Sequence, residues 1–283
     1  MIETMSINFR NKWLEIGKEV LALIDDSITP RMERIVRRKV SFEVFKRLSK
    51  RLHILADEIA EDYLREVADN AVLIDHVSER ILRKGEKPDA IILLNALDGS
   101  QNGARGIAFY GASIAVARYK PNATLKDLEV SVVRNFATDD VYTATLGGGA
   151  YLNNMRIRPS TETELANSII GMDTYVEDLS ILLRKLEKLL AQVRDLRRMG
   201  CSSLEVCEVA RGAIDSFIDL RGTTDIVHLA SKLIVEEAGG IITDEHGNPL
   251  KKPLKVGERV KFIASGNRIL HEKILNLISA NSQ

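Results

Sequence analysis

The stretch Ala90-Ile91-Ile92-Leu93-Leu94-Asn95-Ala96-Leu97-Asp98-Gly99-Ser100 joins an apolar run to a polar turn that contains glycine. Five consecutive apolar residues bounded by polar segments predict a short buried strand. Asp98 follows that strand, and Gly99 lets a ligand approach the backbone closely. A carboxylate at the carboxyl end of a buried strand is a common metal ligand, although an ordinary Asx turn has the same local sequence. The stretch therefore predicts a strand that leads into a candidate site.

Helices are expected before this strand, and alternating strands and helices after it. In the first 70 residues the helical spacing of apolar side chains predicts a helix through Trp13, a break at Ser27–Pro30 where a second helix begins, and a helix over His53–Val67. The second half alternates short strands with helices, which is typical of α/β folds. A boundary near Pro159 divides the chain into an N-terminal α+β lobe over residues 1–160 and a C-terminal α/β lobe over residues 161–283.

The composition excludes several classes of protein. The 283 residues are 45% hydrophobic and 28% charged, as in globular chains, and 40 basic side chains balance 40 acidic ones. No global positive field favours nucleic acid, and no apolar run approaches the length that crosses a bilayer. Because no N-terminal signal segment is visible, we expect a cytoplasmic protein. Cys201 and Cys207 are too few for a disulfide framework, and we expect two reduced, buried thiols.

Other carboxylates have surroundings like those of Asp98. Asp75 ends the strand-like run Val72-Leu73-Ile74, and Glu79 lies four residues further on. Asp225 opens a predicted helix, where an N-cap is the simplest explanation. Mg²⁺ prefers such hard oxygen ligands, with substrate phosphate completing its shell. Spacing alone does not show that these side chains converge.

Five segments in order along the chain resemble the signatures of the inositol monophosphatase family, and above all its archaeal inositol monophosphatase/fructose-1,6-bisphosphatase branch. These segments are Ala96–Ser100, Gly147–Asn153, Arg198–Asp215, Thr224–Gly240 and Phe262–His271. One such motif would be weak evidence, whereas five in order are strong evidence. The resemblance implies a layered αβαβα sandwich, a homodimer, and a site for up to three Mg²⁺ ions, or Mn²⁺ in their place.

The resemblance also implies a role for each matched position. The implied metal ligands are Asp75 or Glu79, Asn95, the carbonyl of Leu97, Asp98 and Asp225. The implied catalytic pair is Ser100, whose hydroxyl helps to activate the attacking water, and the residue at position 53, here His53. The implied substrate-binding residues are Gly99, Ser100, Gln101, Tyr151, Cys201, Ser202, Ser203, Asp219 and Arg221.

Three matched positions lack the carboxylate that the resemblance leads one to expect. Asn95 stands where the family has an aspartate that bridges two metal ions. His53 stands where it has the aspartate that works with the hydroxyl of Ser100, and His76 where archaeal relatives have a glutamate. An asparagine offers one good acceptor oxygen and no charge. Binding of Mg²⁺ should therefore be weakened, because its sites depend on carboxylate charge.

Two functions remain open from the sequence. The first is Mg²⁺-dependent hydrolysis of a sugar or inositol phosphate, such as inositol monophosphate or fructose 1,6-bisphosphate, by a metal-activated water. The second is a catalytically impaired relative that binds a sugar phosphate, or a protein or RNA partner, without turnover. His228, His246 and His271 are not grouped at metal-ligand spacing, and we expect them to be structural.

Overall fold

The computed structural model describes residues 2–68, 70–82 and 87–280. Two long helices open the chain, α1 (Ile2–Arg38) and α2 (Phe42–Val67). The predicted break at Ser27–Pro30 is wrong, because α1 continues through Pro30. A proline inside a helix costs about 3 kcal/mol. Ile24, Ile28 and Met32 are all buried on the same face of α1, and burial of this continuous apolar stripe offsets the lost backbone hydrogen bond.

The first sheet has eight strands in the order β2-β1-β3-β4-β5-β6-β7-β8. Its elements are β1 (Ala71–Ile74), β2 (Glu79–Ile81), β3 (Ala90–Asp98), α3 (Ser100–Arg105), β4 (Gly111–Arg118), β5 (Leu128–Asn135), β6 (Val141–Thr145), β7 (Gly149–Leu152) and β8 (Met155–Arg156). Strand β1 is parallel to β3, and the remaining neighbours are antiparallel. All nine residues of β3 are buried, which explains its nearly continuous apolar sequence.

The second sheet has five strands in the order β10-β9-β11-β13-β12. Its elements are β9 (Ile169–Met172), α4 (Leu179–Leu190), β10 (Asp195–Arg197), α5 (Ser202–Ala210), β11 (Ser216–Asp225), a 3₁₀ helix (Ile226–Ser231), α6 (Lys232–Ala238), β12 (Ile241–Thr243), β13 (Arg259–Ser265) and α7 (Arg268–Ser279). Gly239 closes α6 at a φ of 101°, as expected of a glycine C-cap.

Three apolar cores hold these elements in five layers. Helices α1 and α2 bury one face of the first sheet. Between the sheets lie α5, the 3₁₀ helix and α6, and helices α4 and α7 cover the outer face of the second sheet. The predicted αβαβα sandwich is thus confirmed. Cys201 and Cys207 are both buried and unpaired, as predicted. Among the described residues, no helix combines the length and apolar character needed to cross a membrane.

A bulge in β3 decides how this strand presents its polar residues. Asn95 pairs with Ser113 of β4, but Asp98, three residues later, pairs with Gly111, only two residues away from Ser113. One extra residue therefore lies in β3. In a regular strand, residues three apart face opposite sides of the sheet. The bulge turns both Asn95 and Asp98 toward the same histidine, His228.

Candidate functional site

A polar cavity of about 400 Å³ opens where the end of β3 meets the end of β11. The strand ends, the start of α3, the start of α5 and the 3₁₀ helix contribute its walls. The lining residues are Asp98, Gly99, Ser100, Gln101, Asn102, Asp173, Tyr175, Arg198, Gly200, Ser202, Arg221, Thr223, Thr224 and His228. Three of these side chains are basic and two are acidic, so the cavity suits a polar, negatively charged ligand better than an apolar one.

An asparagine joins two imidazoles beside this cavity. His76, in the loop after β1, has its Nε2 3.1 Å from Oδ1 of Asn95. Nδ2 of the same amide is 2.9 Å from Nδ1 of His228. The centroids of the two imidazole rings are 4.9 Å apart. Because the side chain of Asn95 is fully buried, the two histidines satisfy its amide where solvent does not reach.

Hydrogen bonds from neighbouring protein groups stabilise the ionised carboxylate of Asp98. Oδ2 accepts hydrogen bonds from the Ser203 amide at 3.0 Å and from the Ser203 hydroxyl at 2.6 Å, and it lies 3.5 Å from Nδ1 of His228. Oδ1 accepts from the amide of Gly99 at 2.9 Å. Burial opposes ionisation of Asp98, but the nearby His228 and the bonds from Ser203 outweigh it and leave the pKa of Asp98 below its ordinary value.

The same contact fixes the charge of His228. Burial favours neutral His228, but Asp98 outweighs this effect and raises the pKa of His228 above its ordinary value of 6.5. Burial, and then the charge of His228, lower the pKa of His76. A protonated His228 would donate from Nδ1, and this contact then requires the oxygen of the Asn95 amide, the reverse of the orientation given above. In the reversed orientation the amide nitrogen donates to a neutral His76. The three side chains then form one consistent hydrogen-bonded chain.

His228 was expected to be structural, and the structure places it in the wall of the cavity. It lies three residues after Asp225, which caps the 3₁₀ helix through a hydrogen bond from the amide of Val227. In a 3₁₀ helix, side chains three residues apart lie directly above one another. His228 therefore lies on the same side as a residue already predicted for the site. Residues three apart share a face in an α-helix too, so the spacing from Asp225 was an available signal in the sequence.

Ser100, the first residue of α3, lies against α2. Its Oγ is 3.1 Å from Oγ of Ser49 and 3.4 Å from Nε2 of His53. The catalytic pair predicted from the sequence is thus within contact distance. Burial is the main cause that lowers the pKa of His53, to about 4. His53 is therefore a neutral imidazole at neutral pH.

The structure does not bring Asp75 and Glu79 to Asp98. The carboxylate of Asp75 is buried in its own turn, where it accepts from the amides of Val77 and Ser78 at 2.8 and 2.7 Å and pairs with Arg80 at 2.7 Å. Glu79 is exposed on β2 and lines a different cavity, beside Tyr119. Neither of the two carboxylates predicted as a metal ligand is therefore free for that role. In the short turn after β1 it is His76 that contacts Asn95.

The predicted substrate residues divide into two groups. Gly99, Ser100, Gln101, Ser202 and Arg221 line the cavity, whereas the other four do not. Ser203 holds Asp98, and the buried Cys201 packs behind Gly99. Tyr151 donates to the carbonyl of Gly148 on the β6–β7 hairpin, and Asp219 is fully buried beneath Arg221.

Several cavity residues were not predicted from the sequence. Tyr175, 75% exposed, stands at the cavity in place of the predicted Tyr151. Arg198 and Arg221 both approach the carboxylate of Asp173, at 3.7 and 3.0 Å. Asp173 follows β9 directly, and this position at the carboxyl end of a buried strand was the available signal.

Comparison with known proteins identifies the family. Residues 18–283 match the family model described as the inositol monophosphatase family. The chain belongs to the inositol monophosphatase family. A fructose-1,6-bisphosphatase/inositol-1-monophosphatase of Methanothermobacter thermautotrophicus is 39% identical over 199 residues, which are 69% of this chain and 70% of that protein. A bifunctional NADP phosphatase/NAD kinase of Methanococcus maripaludis is 34% identical over 244 residues, 81% of this chain and 42% of that protein.

A solved structure shows the same fold. A Pyrococcus horikoshii protein with similarities to inositol-1-monophosphatase matches with a TM-score of 0.76 at 24% identity, covering 94% of this chain and 98% of that chain. At this identity the match supports only the assignment of the fold. The residues at the family's site must therefore be judged by their own chemistry.

The residues present do not fit the Mg²⁺ ions implied by membership of the inositol monophosphatase family. In the part of the chain that the structure describes, no three His, Cys, Asp or Glu side chains are grouped to hold a metal ion. Asn95 is bonded at both ends by histidines, and Asp98 is bonded by Ser203. Asp225 is paired with Arg259 at 2.6 Å. Mg²⁺ favours carboxylates and water over imidazole, and here the carboxylates are already neutralised by protein cations.

Proposed function

We propose that this protein binds a phosphorylated sugar or polyol in the cavity beside Asp98 and does not hydrolyse it by a Mg²⁺-activated water. One observation carries the proposal. The hydrogen-bonded chain from His76 through Asn95 and His228 to Asp98 occupies the place that the family resemblance gives to metal ions and their carboxylates. A metal-activated water requires a bound cation that lowers the pKa of that water. A neutral amide flanked by imidazoles offers such a cation little charge.

The cavity retains features that suit a phosphorylated ligand. Arg221 is fixed by Asp219, which accepts from Nε at 2.9 Å and from Nη2 at 2.6 Å, and by Asp173 at 3.0 Å. A guanidinium held in this way loses little further freedom when it binds a phosphate. Arg198 is 47% exposed at the rim, and the imidazole of His228, whose pKa is raised, lines the same cavity. The carboxylate of Asp173 can accept hydrogen bonds from the hydroxyls of a sugar or polyol.

A Mg²⁺-dependent phosphomonoesterase is the second candidate. Asp98, Ser100 and Asp225 stand at the family's matched positions. The names of two similar proteins include phosphatase activities, toward fructose 1,6-bisphosphate and inositol 1-phosphate in one and toward NADP in the other. A magnesium ion that displaced Arg259 from Asp225 would make the carboxylate of Asp225 available as a metal ligand. Such a displacement would favour the second candidate.

Phosphate release and ligand binding, measured together, separate the two candidates. Inositol 1-phosphate, fructose 1,6-bisphosphate and NADP are each incubated with the full chain in millimolar Mg²⁺ and in EDTA, and calorimetry records binding under both conditions. We expect binding of at least one sugar or polyol phosphate that EDTA does not weaken, and no release of phosphate that depends on Mg²⁺. Release that needs Mg²⁺ and disappears in Asp98→Asn would establish the second candidate instead.

A matched pair of arginine variants tests where the ligand binds. Arg198→Gln removes a basic side chain that lines the cavity, while Arg197→Gln removes its neighbour, which pairs with Asp195 outside the cavity. Their side chains are 47% and 43% exposed. We expect Arg198→Gln to weaken binding about tenfold, as the loss of one charge-assisted hydrogen bond implies, and Arg197→Gln to leave it unchanged. Equal effects of the two variants would place the ligand elsewhere.

A further inference from the structure

The turn between α1 and α2 carries a concentration of positive charge that the proposed function does not use. Residues 31–51, which we call the basic hairpin, contain nine Lys and Arg side chains and only two acidic ones, Glu33 and Glu43. Because basic and acidic residues balance at 40 each over the whole chain, the rest of the molecule has a net negative charge. Such a local excess attracts anions even when the net charge is zero. The nine basic residues are Arg31, Arg34, Arg37, Arg38, Lys39, Lys46, Arg47, Lys50 and Arg51.

These basic side chains are all exposed, and few of them have partners within the protein. Arg37 pairs with Glu33 at 3.4 Å, and Arg31 donates to the carbonyl of Ser27. In the described parts of the chain, the other seven basic side chains of the hairpin make no hydrogen bond or ion pair. Seven cationic groups are therefore available to a ligand.

The spacing along each helix places like charges next to one another. Arg34 and Arg38 are four residues apart on α1, as Lys46 and Lys50 are on α2. Residues four apart are neighbours on a helix surface, and like charges at that spacing destabilise the helix. A helix face that only meets solvent typically alternates the two signs. The repeated positive charges therefore indicate an anionic partner from outside the chain.

The fold gathers these charges around one turn. Met32 and Ile35 of α1 and Phe45 and Leu52 of α2 belong to a single core, so the basic side chains lie on the outer surface of the hairpin. A helix rises about 1.5 Å per residue, and each basic residue therefore lies within about 15 Å of residues 39–41 along its helix axis. A nucleic acid strand carries one phosphate per about 3.4 Å of helix axis. The surface thus spans several consecutive phosphates.

The composition of the hairpin favours a nucleic acid over a membrane surface. Six of the nine basic residues are arginines, whose planar guanidinium binds phosphate oxygens in pairs. A helix that lies on a membrane also needs an apolar strip that inserts into the lipid. Within residues 31–51, all of which the structure describes, Phe42 and Val44 are the only exposed large apolar side chains. Two residues do not form such a strip, whereas an exposed phenylalanine among cations can stack on a base.

We propose that the basic hairpin binds the phosphate backbone of a nucleic acid. Binding is electrostatic and independent of base sequence, because phosphate contacts position a nucleic acid without reading its bases. This activity goes beyond the sugar-phosphate site beside Asp98 and does not rest on it.

Fluorescence anisotropy with a labelled single-stranded RNA of about 30 nucleotides tests the surface. The full chain is titrated against the RNA in EDTA at several KCl concentrations from 50 to 200 mM. We expect a Kd below about 10 μM at 50 mM KCl. We expect this binding to weaken about 100-fold at 200 mM KCl, as roughly five phosphate contacts to a single strand imply.

Two triple variants with the same change in net charge locate the contact. Changing Arg34, Arg38 and Lys46 to Gln should reduce the slope of log Kd against log salt concentration by about 2, because each single-strand phosphate contact contributes about 0.7. The control triple should bind RNA as the wild type does. It changes three exposed basic residues outside the hairpin to Gln, namely Arg194, Lys251 and Arg268.

Three results would overturn the proposal: no binding of RNA at 50 mM KCl, binding that salt does not weaken, or equal losses in the two triple variants. The first two are measured on the wild type, so they do not depend on the folding of any variant. Displacement of the RNA by micromolar fructose 1,6-bisphosphate would place it in the cavity beside Asp98 and also contradict the proposal. Sedimentation with vesicles of phosphatidylserine and phosphatidylcholine is the last arm. Binding to these vesicles without binding to RNA would assign the hairpin to a membrane instead.

Discussion

Nδ1 of His228 lies 3.5 Å from Oδ2 of Asp98, and these two residues form an ion pair at the centre of the candidate site. The resemblance to the inositol monophosphatase family implies divalent cations between carboxylates at this place. Here an imidazole whose pKa is raised faces a single carboxylate, and the uncharged amide of Asn95 contacts the same Nδ1 of His228 at 2.9 Å. The local charge is therefore satisfied within the protein, which is the physical reason to expect little affinity for Mg²⁺.

The ion pair predicts a specific dependence of stability on pH. Because the pKa of His228 is raised above 6.5 in the folded state, the pair stabilises the fold fully below pH 6.5 and loses this contribution as pH rises through the folded-state pKa. Asp98 has a lowered pKa, so its contribution is lost only in acid, below its ordinary value of 3.8. We expect His228→Gln to lower the free energy of unfolding by about 1 to 3 kcal/mol at pH 6, and by less at pH 9.

Urea denaturation at several pH values between 6 and 9 measures this difference. The quantity of interest is the free energy of unfolding of wild type minus that of His228→Gln, since titration of the other groups largely cancels in it. His246→Gln is the matched control, because His246 is exposed and does not line the cavity. A difference that stays constant from pH 6 to pH 9 would show that His228 is neutral in the fold.

The sequence predicted the elements around the site better than it predicted the site. Strand β3 and the turn at Gly99 follow from an apolar run and a glycine, which are local signals. The continuity of α1 through Pro30 does not follow, because it depends on burial against a sheet that the local sequence does not reveal. The same holds for the convergence of Asn95 with Asp98, which requires a bulge set by pairing with β4.

The histidines show why the rest of the site could not be predicted. His76 and His228 are 152 positions apart in the chain, and they meet only because the first sheet and the 3₁₀ helix each contribute to one hydrogen-bonded chain. Asp75 has the sequence surroundings of a metal ligand, yet its carboxylate is bound by Ser78 and Arg80. A position after a strand identifies a candidate, and only the turn geometry decides which neighbouring side chain points inward.

Restoring the missing carboxylates should restore the response to magnesium. We expect millimolar Mg²⁺ to leave the Tm of the wild type unchanged, because Asn95, His53 and His76 contribute no negative charge. The triple variant with His53→Asp, His76→Glu and Asn95→Asp should gain about 5 °C in the presence of Mg²⁺, as saturating binding to the folded state implies. Differential scanning calorimetry with Mg²⁺ and with EDTA measures both proteins. Adding Asp98→Asn to the triple variant is the control and should abolish the gain, whereas a Mg²⁺-dependent Tm in the wild type would contradict the expectation.

We expect substitutions of Arg221 and Asp219 to have non-additive effects on the free energy of unfolding. Asp219 is fully buried and accepts from Nε of Arg221 at 2.9 Å and from Nη2 at 2.6 Å. Arg221→Met would leave that carboxylate without its cation, and we expect a loss of about 3 to 5 kcal/mol. The double variant Arg221→Met with Asp219→Asn should recover at least about 1 kcal/mol, because the buried charge is then gone. Urea denaturation of the single and double variants tests the coupling, and additive effects would exclude it.

Gly99 should tolerate no side chain, because two independent costs meet there. Its φ of +68° is left-handed, and a Cβ would lie 2.9 Å from the carbonyl oxygen of Phe109 and 3.0 Å from Cβ of Cys201. The conformation alone costs about 1 to 2 kcal/mol, and the overlap with rigid backbone adds about 1 to 3 kcal/mol.

Gly257 is a matched control, since its φ is +81° and its Cβ would meet nothing within 4 Å. We expect Gly99→Ala to lower the free energy of unfolding by about 2 kcal/mol more than Gly257→Ala does. Equal losses of stability in the two variants would mean that the turn relaxes around the new methyl group.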